Sequence, residues 1–380
     1  MAPAFRLPAY SAAGMEVALR SVVFAAGAVV VALTVASAVR TVVLPRGIPA
    51  KLASFVFVAM RQVFRVRLRR AGSYEDRDRI MAVYAPLSLF ALAFAWLVLV
   101  LVGYAGMMWA LGTDSGRDAF SLSGSSLLTL GFVHPEDMPK VALAFTEALL
   151  GLTLLALLIT YLPTLYTAFS RREAMVTLLE IRAGTPPSGV RIVEWFSEMS
   201  WLHELDILWT NWEGWFVELE ETHTSLPSLV FFRSPQPDHS WLTAAGAVMD
   251  SAALASACFP ERRPRAEVCV RSGYLALRRI ADFFGIPYDE DPEPTDPITV
   301  AREEFDEAFD RLVAAGLPVV DDREQAWRDF AGWRVNYDTV LVTLAGLVMA
   351  PYAPWSSDRS AAFFRVKVLR KPKTPRPSGR

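Results

Sequence analysis

The stretch that stands out in this chain is Ser125-Ser126-Leu127-Leu128-Thr129-Leu130-Gly131-Phe132-Val133, a short polar dip between two long apolar segments that reads as a re-entrant loop rather than a catalytic centre. A glycine such as Gly131 makes left-handed backbone positions inexpensive. Glu147 is the only charge between residues 141 and 170. An ionisable group inside such an apolar run faces a protein interior or an aqueous cavity, so Glu147 is open to two readings: a group near the support of the loop or facing a cavity, or a partner for a polar group across a helix interface. Gly151 suits either a hinge or a close helix contact. Cys258 and Cys269, together with His134, His203, His223 and His239, show no zinc-ligand spacing, and the two cysteines are expected to be reduced and buried.

The elements that would position the loop are long apolar segments. Residues 80–113 carry no charge, and at about 1.5 Å per residue such a run exceeds the roughly 30 Å hydrocarbon core of a bilayer. Residues 141–170 are long enough to cross as well. Between the two, residues 119–130 form a Ser-rich, modestly apolar run that predicts a short helix, followed by Gly131 and the polar exit His134-Pro135-Glu136-Asp137. Short helix, glycine-containing strand and polar exit is the order of a re-entrant loop, and irregular backbone at membrane depth requires protein or water around it. The plainer reading is a helical hairpin with this sequence in an ordinary external loop.

Thr129-Leu130-Gly131-Phe132 resembles the first four positions of the Thr-Val-Gly-Tyr-Gly filter of the potassium channel superfamily, of the two-transmembrane pore-loop type. Gly151, twenty residues past Gly131, stands about where that family's inner helix carries its hinge glycine, and Pro163 stands where the helix often bends or gates. Ser170-Arg171-Arg172-Glu173 is similar to the charged inner-mouth end of such helices. The resemblance implies a homotetramer conducting monovalent cations, potassium first. It implies a filter of Thr129, Leu130, Gly131, Phe132 and Val133, and an inner helix that gates through Gly151 and Pro163 with Glu147 beside them.

Val133 occupies the filter's second glycine position, and His134 stands where the family has aspartate. A left-handed backbone costs an ordinary L-residue about 1–2 kcal/mol, and a β-branched one is a genuine outlier there. The outer end of the filter is therefore expected to be built differently.

The whole fold is expected to be all-α: membrane helices with a re-entrant pore loop, then a helical cytoplasmic domain. Residues 1–45 hold a Pro- and Ala-rich start, expected to be poorly ordered, and a first transmembrane helix in the uncharged run 21–39. Ala36-Ser37-Ala38 leaves a cleaved signal peptide as the competing reading. Residues 46–83 form a basic connection whose Arg61, Arg65, Arg67, Arg69 and Arg70 place it in the cytoplasm together with Arg171 and Arg172. It reads equally as an interfacial helix or a solvated link. Residues 84–183 make the pore module, residues 184–364 the helical domain, and residues 365–380 a basic tail. Within the helical domain, helices are predicted at 241–257, 265–284, 299–315 and 323–349, with a buried crossover at 224–235.

The composition, 53% hydrophobic with a net charge of −2, describes a membrane half joined to a soluble half and shows no basic face for nucleic acid. No glycine-rich phosphate loop and no ordered nucleophile, base and orienting group can be traced. The expectation is a multi-pass cell-membrane protein, not an enzyme, with the lipid bilayer as partner and no cofactor. Two functions stand open: a potassium-channel-like pore with a modified filter, or a non-conducting membrane sensor or scaffold that binds a partner through its helical domain.

Overall fold

The structure is a computed structural model that describes residues 10–44 and 51–359. Residues 1–9, 45–50 and 360–380 lie outside the described residues, and with them most of the start expected to be poorly ordered, the beginning of the basic connection and the whole basic tail. Among the described residues the chain is all-helical, with no strand. Its helices are α1 (Tyr10–Val42), α2 (Lys51–Leu68), α3 (Tyr74–Ala82), α4 (Tyr84–Ala110), α5 (Gly116–Leu127), α6 (Met138–Ala183), α7 (Gly189–Glu198), α8 (Leu205–Ser225), α9 (Trp241–Cys258), α10 (Pro264–Phe284), α11 (Arg302–Ala314), α12 (Arg323–Arg334) and α13 (Asp338–Val348). Four are long and apolar enough to cross a membrane: α1, α4 together with the preceding α3, α6 and α9.

The described residues divide into two compact units: the first holds the residues up to Gln62 and Pro86–Thr164, the second Val63–Ala85 and the residues from Leu165 onward, so the chain crosses between them within α2, near the start of α4 and within α6. The last turns of α6, within the 84–183 segment assigned from the sequence to the pore module, bury Val176, Leu179 and Ala183 in the core of the second unit.

In the first unit α1, α4, α5 and the membrane-length part of α6 surround a core built on Leu92, Trp96, Val100, Tyr104 and Met108. Small residues set the spacing. A β-carbon on Gly27 of α1 would stand 2.5 Å from the Gly103 carbonyl oxygen, so the two backbones meet without side chains between them. Trp96 Nε1 donates to Ser37 Oγ across 3.3 Å, satisfying a buried indole.

In the second unit α9 is the central post. Its length and hydropathy would allow a crossing, yet 94% of it is buried inside the protein, and α7, α10 and α12 pack around it. Gly189 lets α7 touch it, since a β-carbon there would stand 2.7 Å from the Ser251 amide nitrogen. The predicted helices at 241–257, 265–284 and 299–315 appear as α9, α10 and α11 with ends shifted by a few residues, and the crossover is a buried 3-10 turn at Pro227–Phe231. The single helix predicted for 323–349 is two helices. At the break Asn336 turns its carbonyl to Arg278 Nε, 2.9 Å away. Arg334, fully buried, donates to Asp250 of α9 at 2.5 Å and to Asp338 of α13 at 2.7 Å. These polar demands override the apolar periodicity.

Candidate functional site

The short helix α5 begins at Ser115, whose hydroxyl accepts from the Asp118 amide at 3.1 Å, and Asp118 adds negative charge to the first turn. The Ser-x-x-Asp pattern is therefore the start signal, three residues earlier than the apolar run suggested. The helix stops at Leu127, also earlier than predicted, and the chain folds back over its last turn. Leu130 N–H donates to Ser125 O at 2.8 Å, and Val133 N–H donates to Ser125 Oγ at 3.2 Å. Two residues make the reversal by turning left-handed: Thr129 with φ +54° and Gly131 with φ +68°.

Val133 is not among the residues with positive φ, so the strain foreseen for a β-branched side chain falls on Thr129 instead. Leu128, Leu130 and Phe132 project outward and are 56%, 62% and 64% exposed, an apolar tip that this chain leaves uncovered.

On α6 the structure distinguishes among the sequence-selected residues. Gly151 is buried against the end of α5: a β-carbon there would stand 2.4 Å from the Leu127 carbonyl oxygen. Of the two roles open to it, close contact is the one the geometry supplies. Glu147, fully buried, lies with Oε1 2.5 Å from Ser123 Oγ of α5, and Ser123 Oγ is in turn 2.9 Å from the Leu101 carbonyl oxygen of α4. Glu147 thus faces the helix supporting the loop rather than an aqueous cavity. One turn away, Tyr104 of α4 donates to Thr146 Oγ1 at 3.1 Å. Pro163 is exposed within α6, which continues through it.

Thr129 to Val133, Glu147 and Gly151 therefore gather around the end of α5, while Pro163 lies three turns further along α6 from Gly151. Ser123 and Leu101 belong to the same arrangement and were not singled out from the sequence, while Ser125 and Leu127 stood there only as part of the loop stretch. The Ser-rich composition of 121–126 was the only signal for Ser123, and it named no partner. Among the described residues no three His, Cys, Asp or Glu side chains come together as a metal site.

The four residues that resemble an inner-mouth cluster also divide. Arg171 is exposed and pairs with Glu218 at 3.4 Å. Arg172 is buried in the second unit, where it pairs with Glu173 at 2.7 Å and donates to the carbonyls of Leu229 at 2.9 Å and Phe232 at 2.7 Å. Its Nη1 also lies 3.2 Å from His223 Nε2. Burial, and then the neighbouring Arg172 charge, push the His223 pKa well below the usual imidazole range.

The chain matches no protein-family model, no curated protein and no solved structure.

Proposed function

We propose that the chain is a subunit of a potassium-channel-like cation channel with a modified filter, assembling as a homotetramer in a cell membrane. The observation that carries this reading is the placement of α5: a short capped helix between two long apolar helices, seated on Gly151 and followed by a loop with left-handed turns at Thr129 and Gly131.

In this reading α1, α4 and α6 cross the bilayer and the loop after α5 re-enters from outside. The arginines of α2 and Arg171 lie on the cytoplasmic side with the helical unit. Backbone oxygens from Thr129 to Phe132, with the Thr129 hydroxyl, line the filter, and Val133 marks its altered outer end. Four copies about one axis would cover Leu128, Leu130 and Phe132, whose exposure in one chain supports assembly. Glu147 and Gly151 hold α5 in place, and Pro163 supplies the bend in α6. The helical unit would bias that bend through any ligand that prefers one of its two arrangements.

One observation favours the second reading, a non-conducting membrane sensor or scaffold. The hydrogen bonds of Leu130 and Val133 to Ser125 fold the loop back onto its own helix, and a closed loop needs no ion to hold it.

Current across planar bilayers containing the purified protein, with opposed potassium and sodium gradients, separates the two. The channel reading expects unitary currents that vanish in Gly131→Asp, with a reversal potential that reports the preferred ion. Silence from folded protein under varied voltage, pH and calcium overturns it in favour of the sensor.

A further inference from the structure

Three oxygens from three helices meet at Ser123, one of them from Glu147. Glu147 Oε1 is 2.5 Å from Ser123 Oγ, and Ser123 Oγ is 2.9 Å from Leu101 O. Oxygens at these separations need a hydrogen between each pair. The serine hydroxyl brings one and the Leu101 carbonyl brings none. With an ionised carboxylate, one of the two contacts would set lone pair against lone pair. A carboxylic acid supplies the missing hydrogen: Glu147 donates to Ser123 Oγ, and Ser123 donates to Leu101 O.

The surroundings agree. Glu147 and Ser123 are both fully buried, and Glu147 Oε2 has no hydrogen-bond partner. An ionised oxygen left so would be far costlier than the neutral carbonyl oxygen of an acid. Among the described residues no arginine, lysine or histidine pairs with Glu147. The titratable group that neighbours it from α4 is Tyr104, whose hydrogen is committed to Thr146 Oγ1, and α5 contributes only the Ser123 hydroxyl.

We infer that Glu147 is a proton-binding site: the folded protein carries a carboxylic acid there, and its proton fastens α6 through Ser123 of α5 to α4. The inference goes beyond the pore reading and stands whether or not the loop conducts. Removing the proton places an unpaired charge at the contact and loosens α5, the element that carries the loop.

Infrared difference spectra of the full-length protein in lipid vesicles near neutral pH test it. The expected result is a carboxylic-acid carbonyl band in the wild type that is absent from Glu147→Gln and displaced in Ser123→Ala, which removes the hydrogen-bond partner. Glu147→Gln keeps an N–H donor for Ser123, so its circular dichroism is expected to match the wild type. Should that variant fail to fold, Ser123→Ala decides, because a band left in place belongs to another carboxyl and overturns the assignment. A wild-type spectrum that differs from Glu147→Gln only by carboxylate bands overturns it too.

Discussion

The Leu127 carbonyl oxygen occupies the space into which a β-carbon on Gly151 would project, 2.4 Å from that carbon's position. A backbone oxygen at the end of a helix cannot rotate aside as a long side chain can, so any larger residue at 151 must push α5 away from α6. Gly131 differs: nothing lies within 4 Å of its would-be β-carbon, and only its φ of +68° disfavours a side chain. Gly151→Ala is expected to destabilise the protein near the upper end of about 1–3 kcal/mol for overpacking. Gly131→Ala should cost about 1–2 kcal/mol through backbone strain alone. Thermal unfolding of both variants in the same detergent checks the order, and a larger loss at 131 would show that the α5 seat is softer than its geometry.

His223 gives a pH dependence with a definite sign. Its Nδ1 lies 2.9 Å from the Leu219 carbonyl oxygen, which only accepts, so Nδ1 carries the hydrogen and Nε2 is the acceptor facing Arg172 Nη1. A second proton would put two buried cations in contact. Its folded pKa is depressed well below 6.5, so on acidification below that value the unfolded chain takes up a proton that the folded chain refuses. Stability at this site is thus present above about pH 6.5 and falls as pH drops, by at most about 1.4 kcal/mol per pH unit. His223→Gln, which cannot titrate, is expected to flatten the acid limb. Denaturant midpoints between pH 5 and 7 for both proteins measure the difference.

The buried charges at Arg334 predict a pattern across variants. The guanidinium, fully buried, joins α12 to Asp250 and Asp338 and also donates to the Trp355 carbonyl oxygen. Arg334→Met leaves two carboxylates in the core with no cation, and breaking such a pair costs about 3–5 kcal/mol. Adding Asp250→Asn and Asp338→Asn removes the stranded charge, so the triple variant is expected to regain a large part of that loss. Urea unfolding followed by tryptophan fluorescence reports both. A triple variant no better than Arg334→Met would place the loss in packing instead.

What was legible in the chain follows from how each signal is carried. The long helices α1, α4 and α6 announce themselves as long apolar runs, and α10 as a periodic pattern ended by Gly285 with φ +64°, because those signals are local. The break between α12 and α13 was missed because its cause, a contact from Arg278 to the Asn336 carbonyl, comes from 58 residues away. The same holds at the loop. Glu147 stood out as a charge in an apolar segment, but its partner Ser123 lies 24 residues back and was one serine among several. Gly151 admitted a hinge and a contact equally until Leu127 was placed against it. Pairings across helices are tertiary facts, and one sequence holds them only as possibilities.

Pro163 offers a test of where α6 yields. It sits inside a helix of 46 residues and brings no amide hydrogen, so the Ile159 carbonyl receives no helical hydrogen bond from position 163. Proline in a helix interior also crowds the carbonyl four residues earlier, and the two effects favour bending at this turn. Pro163→Ala supplies the hydrogen and removes the crowding. The expected outcome is slower amide hydrogen exchange across residues 160–167, with exchange around Gly151 unchanged. Unaltered exchange at 160–167 would mean that the helix is already rigid there, and the bend assigned to Pro163 would have to be sought elsewhere along α6. In a conducting protein the same substitution is expected to shift open probability, since a stiffer α6 raises the free energy of whichever state is bent. Paired exchange and current measurements on one variant therefore tell whether the flexible turn and the gate coincide.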